Sequence, residues 1–421
     1  MNRNEILVGL DIGTTKIAVI VGQFNDFGKL HVLGYSKVES PGVKRGVIHN
    51  IDKTIEAIQE AIQQAEKLSN TEINVVNVGI AGQHIRSLHQ LQSVIRSNPD
   101  EEITQKEIDE LIKKMYKLSL NPGEEIIHII PEEYIINGEP GIKEPVGMAG
   151  ASMHVKFHIV TGSIGAIKNI QKVVEKAGLT INDLILEPLA SSYVCLSDEE
   201  KEAGVALVDI GGGTTDLAIF VDGILVHSSV IPFGGDVITE DIKTGLAILK
   251  NYAELLKIKY GNALPDQIKD DIYITIPGLK GRAPKEISMK NLALIIHARV
   301  TEIFEFIFSE IKNSGFANKL IAGIVLTGGG AQLANIAQLC QYVTGMETRI
   351  GYPNEHLSNT VDKELHQPMY ATSIGLILHE KFMQREYPVS KNTPNQGSKE
   401  TKGFFKRIFQ KTSKFFDEGI E

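Results

Sequence analysis

The 421-residue chain is 42% hydrophobic and its charges nearly balance at a net −9, so it can bury a large core and offers no global field that would draw nucleic acid. Its two cysteines, Cys195 and Cys340, lie far apart outside any CxxC or CxxH setting, which argues against a disulfide framework or structural zinc and fits a reducing cytoplasm. No signal-peptide pattern is expected at Ile6 to Leu10, and no run approaches the ~18 apolar residues of a membrane span.

The first predicted element is an apolar strand ending in Asp11, a Gly/Thr turn and a second apolar run: Leu7-Val8-Gly9-Leu10-Asp11-Ile12-Gly13-Thr14-Thr15-Lys16-Ile17-Ala18-Val19. It recurs as Leu207-Val208-Asp209-Ile210-Gly211-Gly212-Gly213-Thr214-Thr215-Asp216-Leu217-Ala218-Ile219, with two extra residues in the glycine region. Each copy reads as a β-hairpin with phosphate-sized room at its turn. The wide separation of the copies excludes a solenoid and indicates a duplicated, two-lobed α/β protein. Around the hairpins, helices (Ile51 to Leu68, Asn169 to Lys176) alternate with strands (Val75 to Ile80, Ile272 to Ile276, Ile321 to Leu326).

Residues from about His84 to Gly162 read as an inserted module. It holds a charged helical stretch, Thr104 to Tyr116, strand-like Ile126 to Ile130 and Glu133 to Ile136, and Gly/Pro-rich Gly138 to Gly150. Within it His154 and His158 alternate with apolar residues as on a strand, which would part the imidazoles by ~13 Å and prevent a shared metal.

The chemistry concentrates at the glycine turns. Asp11 and Asp209 occupy equivalent strand ends, where a buried carboxylate needs hydrogen bonds or a cation, and the pair suits a hydrated Mg²⁺. Gly13 and Gly211 to Gly213 let backbone N–H groups approach phosphate, while Thr14, Thr15, Lys16, Thr214 and Thr215 add hydroxyls and one ammonium. Gly234-Gly235-Asp236, before a helix over Val237 to Lys243, is a further phosphate-side turn. On the helix of Tyr252 to Tyr260, Glu254 and Lys257 share a face that could bond ribose hydroxyls. Gly328, Gly329 and Gly330 follow the strand Ile321 to Leu326 and precede a helix beginning near Leu333, where a base or phosphate could lie against the backbone. Walker A and Gly-x-Gly-x-x-Gly patterns are absent, which excludes ordinary P-loop and dinucleotide folds.

From Tyr387 to Thr401 the composition shifts to that of a flexible linker. Beyond it Phe404, Phe405, Ile408, Phe409, Phe415 and Phe416 gather on one helical face, with Lys402, Lys406, Arg407, Lys411 and Lys414 mostly on the other. This is the pattern of an interfacial membrane anchor; a helix docked on protein is the alternative.

The paired Asp-Ile-Gly turns, Thr327 to Ala331 and Glu254/Lys257 together resemble the actin, sugar-kinase and heat-shock-chaperone ATPase superfamily. Within it the sequence is similar to the bacterial FtsA cell-division family, over most of residues 5 to 385 and in segments such as Leu189-Ala190-Ser191-Ser192-Tyr193 and Ile129-Ile130-Pro131-Glu132-Glu133-Tyr134. The resemblance implies an α/β, actin-like two-lobed fold built from a duplicated RNase H-like unit, with an inserted α+β subdomain, a linker and a C-terminal amphipathic helix. The first lobe would be 1–84, completed by 163–192 and 362–386, with 85–162 inserted. The second would be 193–228, completed by 302–361, with an outer subdomain at 229–301, a linker at 387–401 and the anchor at 402–421. It further implies ATP and Mg²⁺ as ligands, Asp11 and Asp209 acting through water, and Glu187 orienting the attacking water. Hydrolysis would be weak at most. A tubulin-like FtsZ tail would bind the outer subdomain, where Arg282 and Arg299 lie, and other division proteins would bind the insert. Self-assembly, an anionic membrane at the cytoplasmic face of the septum and no nucleic acid complete that picture. The alternative is a small-molecule kinase or phosphatase of the same superfamily.

Overall fold

A computed structural model describes residues 5–386 apart from 97, 270–271, 279–282 and 360, so Arg282, the predicted linker and the amphipathic segment with its ten membrane-facing candidates lie outside the described residues. Two five-stranded sheets carry the same plan. In the first, Leu7–Ile12 pairs antiparallel with Lys16–Phe24, which pairs antiparallel with Leu30–Glu39; on the other side Leu7–Ile12 runs parallel to Val75–Ile80 and that strand parallel to Thr180–Leu186. In the second, Val205–Ile210 pairs with Thr215–Val221 and that with Ile224–Ile231, while Ile324–Thr327 and Thr348–Ile350 add parallel strands. Leu7–Ile12, Val205–Ile210 and Thr215–Val221 are buried throughout, as are residues 17–22 of the remaining hairpin strand, which explains why they read as continuous apolar runs.

The first helix, Ile51–Ser69, is capped by Asn50 and turns Ala57, Ile58, Ala61, Ile62 and Ala65 into the core, the spacing expected of one apolar face. Two other helices cross between the sheets, Glu187–Cys195 and Ala371–Glu386. The first is buried on nearly every side, and at the crossing a Cβ on Gly375 would overlap the Ala190 carbonyl oxygen. Small residues therefore set how closely the helices approach.

The insert has its own core around Leu111, Tyr134, Val155, Phe157 and Ile159. Its sheet runs in the order Arg86–Ile95, Ser152–Ser163, Glu124–Ile136, Glu139–Ile142, with the helix Gln105–Met115 capped by a Thr104/Glu107 box. The two strands expected around Pro131 are one strand, Glu124–Ile136. A bulge at Glu132 absorbs the interruption, and Pro131 is tolerated because pairing with Glu139–Ile142 starts only at Tyr134. The bulge also directs Glu132 to His89 Nδ1 and Lys156 Nζ, each at 2.6 Å. His154 and His158 lie on one strand, as expected, and bond different groups, Ser93 and Ser87. His158 Nδ1 also meets the Leu225 carbonyl at 3.1 Å, joining the insert to the second sheet.

Other elements differ from expectation in their ends. The helix expected from Asn169 starts at Ile164, and the strand expected from Ile321 starts at Ile324, because Gly323 at φ +68° turns the chain and leaves Ile321 exposed. Cys195 and Cys340 are buried free thiols. Among the described residues no helix is long and apolar enough to cross a membrane.

Candidate functional site

The two hairpin turns face each other. Gly13 N–H donates to the Lys16 carbonyl at 3.0 Å and Gly211 N–H to the Thr214 carbonyl at 2.9 Å, so the loops 13–16 and 211–214 are equally long. Strand register agrees, with Ile12 opposite Ile17 and Ile210 opposite Thr215. The second copy therefore has no insertion. Matching the two Thr-Thr pairs is misleading, because the backbone sets Thr14 and Thr15 against Gly212 and Gly213. Those glycines admit the threonines of the opposite loop: a Cβ on Gly212 would overlap Thr15, and one on Gly213 would lie 2.6 Å from Thr14 Oγ1. Thr14 Oγ1 also accepts from Gly46 N–H at 3.0 Å.

Below the loops lies a cluster of buried carboxylates. Asp11 Oδ2 takes Lys16 Nζ at 2.7 Å and the Ser373 hydroxyl at 3.1 Å. Asp209 Oδ2 takes the hydroxyls of Ser191 at 2.9 Å and Thr372 at 3.2 Å. Burial, with Asp11 adding, nevertheless raises the Asp209 carboxyl above the ordinary range. Glu187 opens its helix opposite Gly79, where a Cβ would lie 2.9 Å from Glu187 Cγ, so only glycine leaves it room. Burial first, then Asp11, Asp216 and Asp209, push the Glu187 carboxyl well up, against Lys16.

Sequence reasoning missed Asp216. It stands directly opposite Asp209 across the hairpin, at the place Ala18 holds in the first copy. Thr214 donates to its Oδ2 at 3.3 Å, while its Oδ1 is buried without a partner. Burial and then Asp209 push this carboxyl up to about 8. The folded state thus holds a proton that the unfolded chain releases near pH 4, so stability in the absence of cations should fall as pH rises from about 5 to 8. Asp216→Asn should flatten that loss, measured by urea unfolding in chelator; an undiminished slope would remove Asp216 as its source.

The outer elements buttress the second loop. The helix expected from Val237 begins at Gly235, because Gly235 and Asp236 N–H groups donate to the Gly211 and Gly212 carbonyls at 2.9 and 2.7 Å. A Cβ on Gly234 would lie 2.6 Å from the Gly211 oxygen. Lys257 Nζ donates to the Gly235 carbonyl at 2.9 Å and pairs with Glu254 at 2.8 Å, while Thr239 bonds Glu254. Glu254 and Lys257 thus hold each other on the helix Lys250–Tyr260.

The third glycine cluster does not open an α-helix. Gly329–Gln332 form one 3₁₀ turn and the helix starts at Ile336, so the expected helix N-terminus at Leu333 is absent. Gly328, at φ +84°, lies over Asp209 Oδ1, which a Cβ would overlap; Gly330 packs on Ile210, and a Cβ on Gly329 would meet open space. Arg299 is held by Asp241, with Nη2 to Oδ1 at 3.1 Å, and by Glu302. Among the described residues no three His, Cys, Asp or Glu form a group able to grip a metal directly.

Comparison with known proteins gives concordant matches. The family described as Cell division protein FtsA matches residues 206–375, and the family described as SHS2 domain inserted in FTSA matches residues 82–161. The chain is 38% identical over 369 residues to Cell division protein FtsA of Neisseria meningitidis serogroup B, covering 87% of this chain and 88% of the relative. It is 35% identical over 384 residues to that of Escherichia coli K12, covering 90% of each. Among solved structures, the PilM-PilN type IV pilus biogenesis complex matches at a TM-score of 0.64 and 17% identity over 89% of this chain and 98% of the other. MreB5 of Spiroplasma citri bound to ADP matches at 0.55 and 15%, over 92% and 100%. These structural likenesses establish an actin-like fold.

Proposed function

This chain belongs to the FtsA family of cell-division proteins, and from that premise we propose that it is an ATP-binding adaptor that polymerises and ties the FtsZ ring to the inner face of the cytoplasmic membrane. The observation that carries the nucleotide reading is the pair of equal loops, 13–16 and 211–214, interlocked above Asp11 and Asp209. Four carboxylates, Asp11, Asp209, Asp216 and Glu187, face one another with Lys16 paired to the first, and Asp216 keeps a buried oxygen without a donor. Such a set fits a divalent cation with its water shell better than an empty core.

Mg-ATP would supply its phosphates and a divalent cation, which Asp11 and Asp209 would hold through water. The chain's own residues do the rest: Gly13 and Gly211 to Gly213 keep the turns slim enough for backbone N–H groups to face phosphate, and Lys16 offsets charge on the first lobe. Gly329 faces open space, and Glu254 with Lys257 would bond ribose hydroxyls. Burial and the neighbouring carboxylates raise the Glu187 carboxyl, so a cation that offsets their charge would favour its ionised, water-orienting form. ATP thus serves chiefly as an assembly ligand.

The outer second lobe would hold the FtsZ tail, whose carboxylates would compete with Asp241 and Glu302 for Arg299; the insert would meet other division proteins. Residues 402–421 would anchor the protein, since six bulky apolar groups can enter the acyl boundary while cations add about 1 kcal/mol each near anionic lipid. A small-molecule kinase or phosphatase of the same fold has no use for such a segment. Ile408→Glu should therefore abolish flotation with anionic vesicles, whereas Lys411→Ala should only weaken it. Flotation that survives deletion of 402–421 would refute the anchor.

A further inference from the structure

Adjacent residues of one helix bond one aspartate from each lobe: Thr372 reaches Asp209 of the second and Ser373 reaches Asp11 of the first. Ser191, on the crossing helix, reaches Asp209 too and lies 3.0 Å from the Thr372 hydroxyl. We propose that Ser191, Thr372 and Ser373 are positioning residues, whose hydroxyls hold Oδ2 of both aspartates and reserve both Oδ1 atoms for the water shell of a single divalent cation. The inference rests on the cation-assisted nucleotide reading above.

Elsewhere in this chain the buried helical hydroxyls of Thr54 and Thr344 turn back on their own helix, to the carbonyls of Asn50 and Cys340, while Thr239 divides between the Gly235 carbonyl and Glu254. Ser191, Thr372 and Ser373 are equally buried yet point at carboxylates on other elements. On each aspartate the bonds fall on the same oxygen, Oδ2, so they fix the rotation of the carboxylate as well as its place. Among the described residues neither Oδ1 has a hydrogen-bond partner, and Asp209 Oδ1 lies beside Gly328, where any side chain would overlap it. The crossing fixes the three hydroxyls relative to each other, because Gly375 touches the Ala190 backbone and a Cβ on Gly9 would lie 2.5 Å from the Ser373 carbonyl oxygen. A pair of carboxylates oriented before the cation arrives binds it without reorganisation.

Thr372→Val keeps the side-chain shape and removes the hydroxyl; Ser373→Ala does the same on the first lobe. With the full chain, ATP affinity is measured by calorimetry across a magnesium series. The magnesium concentration giving half-maximal binding should rise about tenfold in each variant, with ATP affinity at saturating magnesium within about twofold of wild type. Thr372→Ser should restore the wild-type magnesium dependence, a rescue that a packing role would not predict. An unchanged magnesium requirement in folded Thr372→Val and Ser373→Ala, beside a wild type that does need magnesium, would overturn the positioning role alone. A wild type that binds no ATP at any magnesium concentration would overturn the cleft reading and this inference with it.

Discussion

Replacing Asp209 by alanine should weaken Mg-ATP binding by about a hundredfold or more, the largest effect expected of any single change in the cleft. Asp209 joins the two halves of the site: it faces Asp216 across its hairpin, takes hydroxyls from both crossing helices, and interacts with Asp11 of the opposite lobe. Without it, the cation would lose the one second-lobe aspartate that crossing-helix hydroxyls orient, and the first lobe's Asp11 has its charge already offset by Lys16. Loss of a carboxylate from this crowded cluster relieves repulsion, so the variant should remain folded and the measurement should report binding. Calorimetric titration checks this, and wild-type affinity in a folded Asp209→Ala protein would remove the site as drawn.

Gly375→Ala should destabilise the fold by about 3 kcal/mol, because the added methyl overlaps the Ala190 carbonyl oxygen and two buried helices must part to admit it. A Cβ at Gly375 would also overlap the Ala190 carbonyl carbon, and backbone atoms cannot yield as a flexible side chain could. Gly165 supplies the contrast. It sits in the helix Ile164–Lys176, a Cβ there would meet only Ser163 Oγ at 3.7 Å, and Gly165→Ala should stabilise by about 0.5 kcal/mol. Urea unfolding of both variants against wild type decides the matter; equal midpoints for Gly375→Ala and wild type would mean that the crossing is looser than described.

The duplicated plan is legible in the sequence because each hairpin is an apolar run broken by the same Asp-Ile-Gly. Its register is not, because the Thr-Thr pairs invite an alignment that the ladder does not follow, and Asp216 was missed for that reason. Ser191 stands in a segment that carries the family resemblance but with no role attached, and Thr372 and Ser373 gave no signal, since small hydroxyl residues on an apolar helix read as packing until the fold brings them to a carboxylate. Pro131 hid a continuous strand, as its bulge depends on where a neighbouring strand begins. The glycines at 328–330 do not open a helix as their sequence suggests; Gly328 and Gly330 admit Asp209 and Ile210 instead.

The most direct test of the adaptor is reconstitution on vesicles. Purified protein with Mg-ATP should float with anionic vesicles and carry FtsZ with it, while a chain ending at Lys399 should still bind the FtsZ tail in solution yet leave FtsZ unbound to lipid. Recruitment of FtsZ by the truncated chain, or vesicles coated by the full chain that fail to recruit FtsZ, would contradict the account.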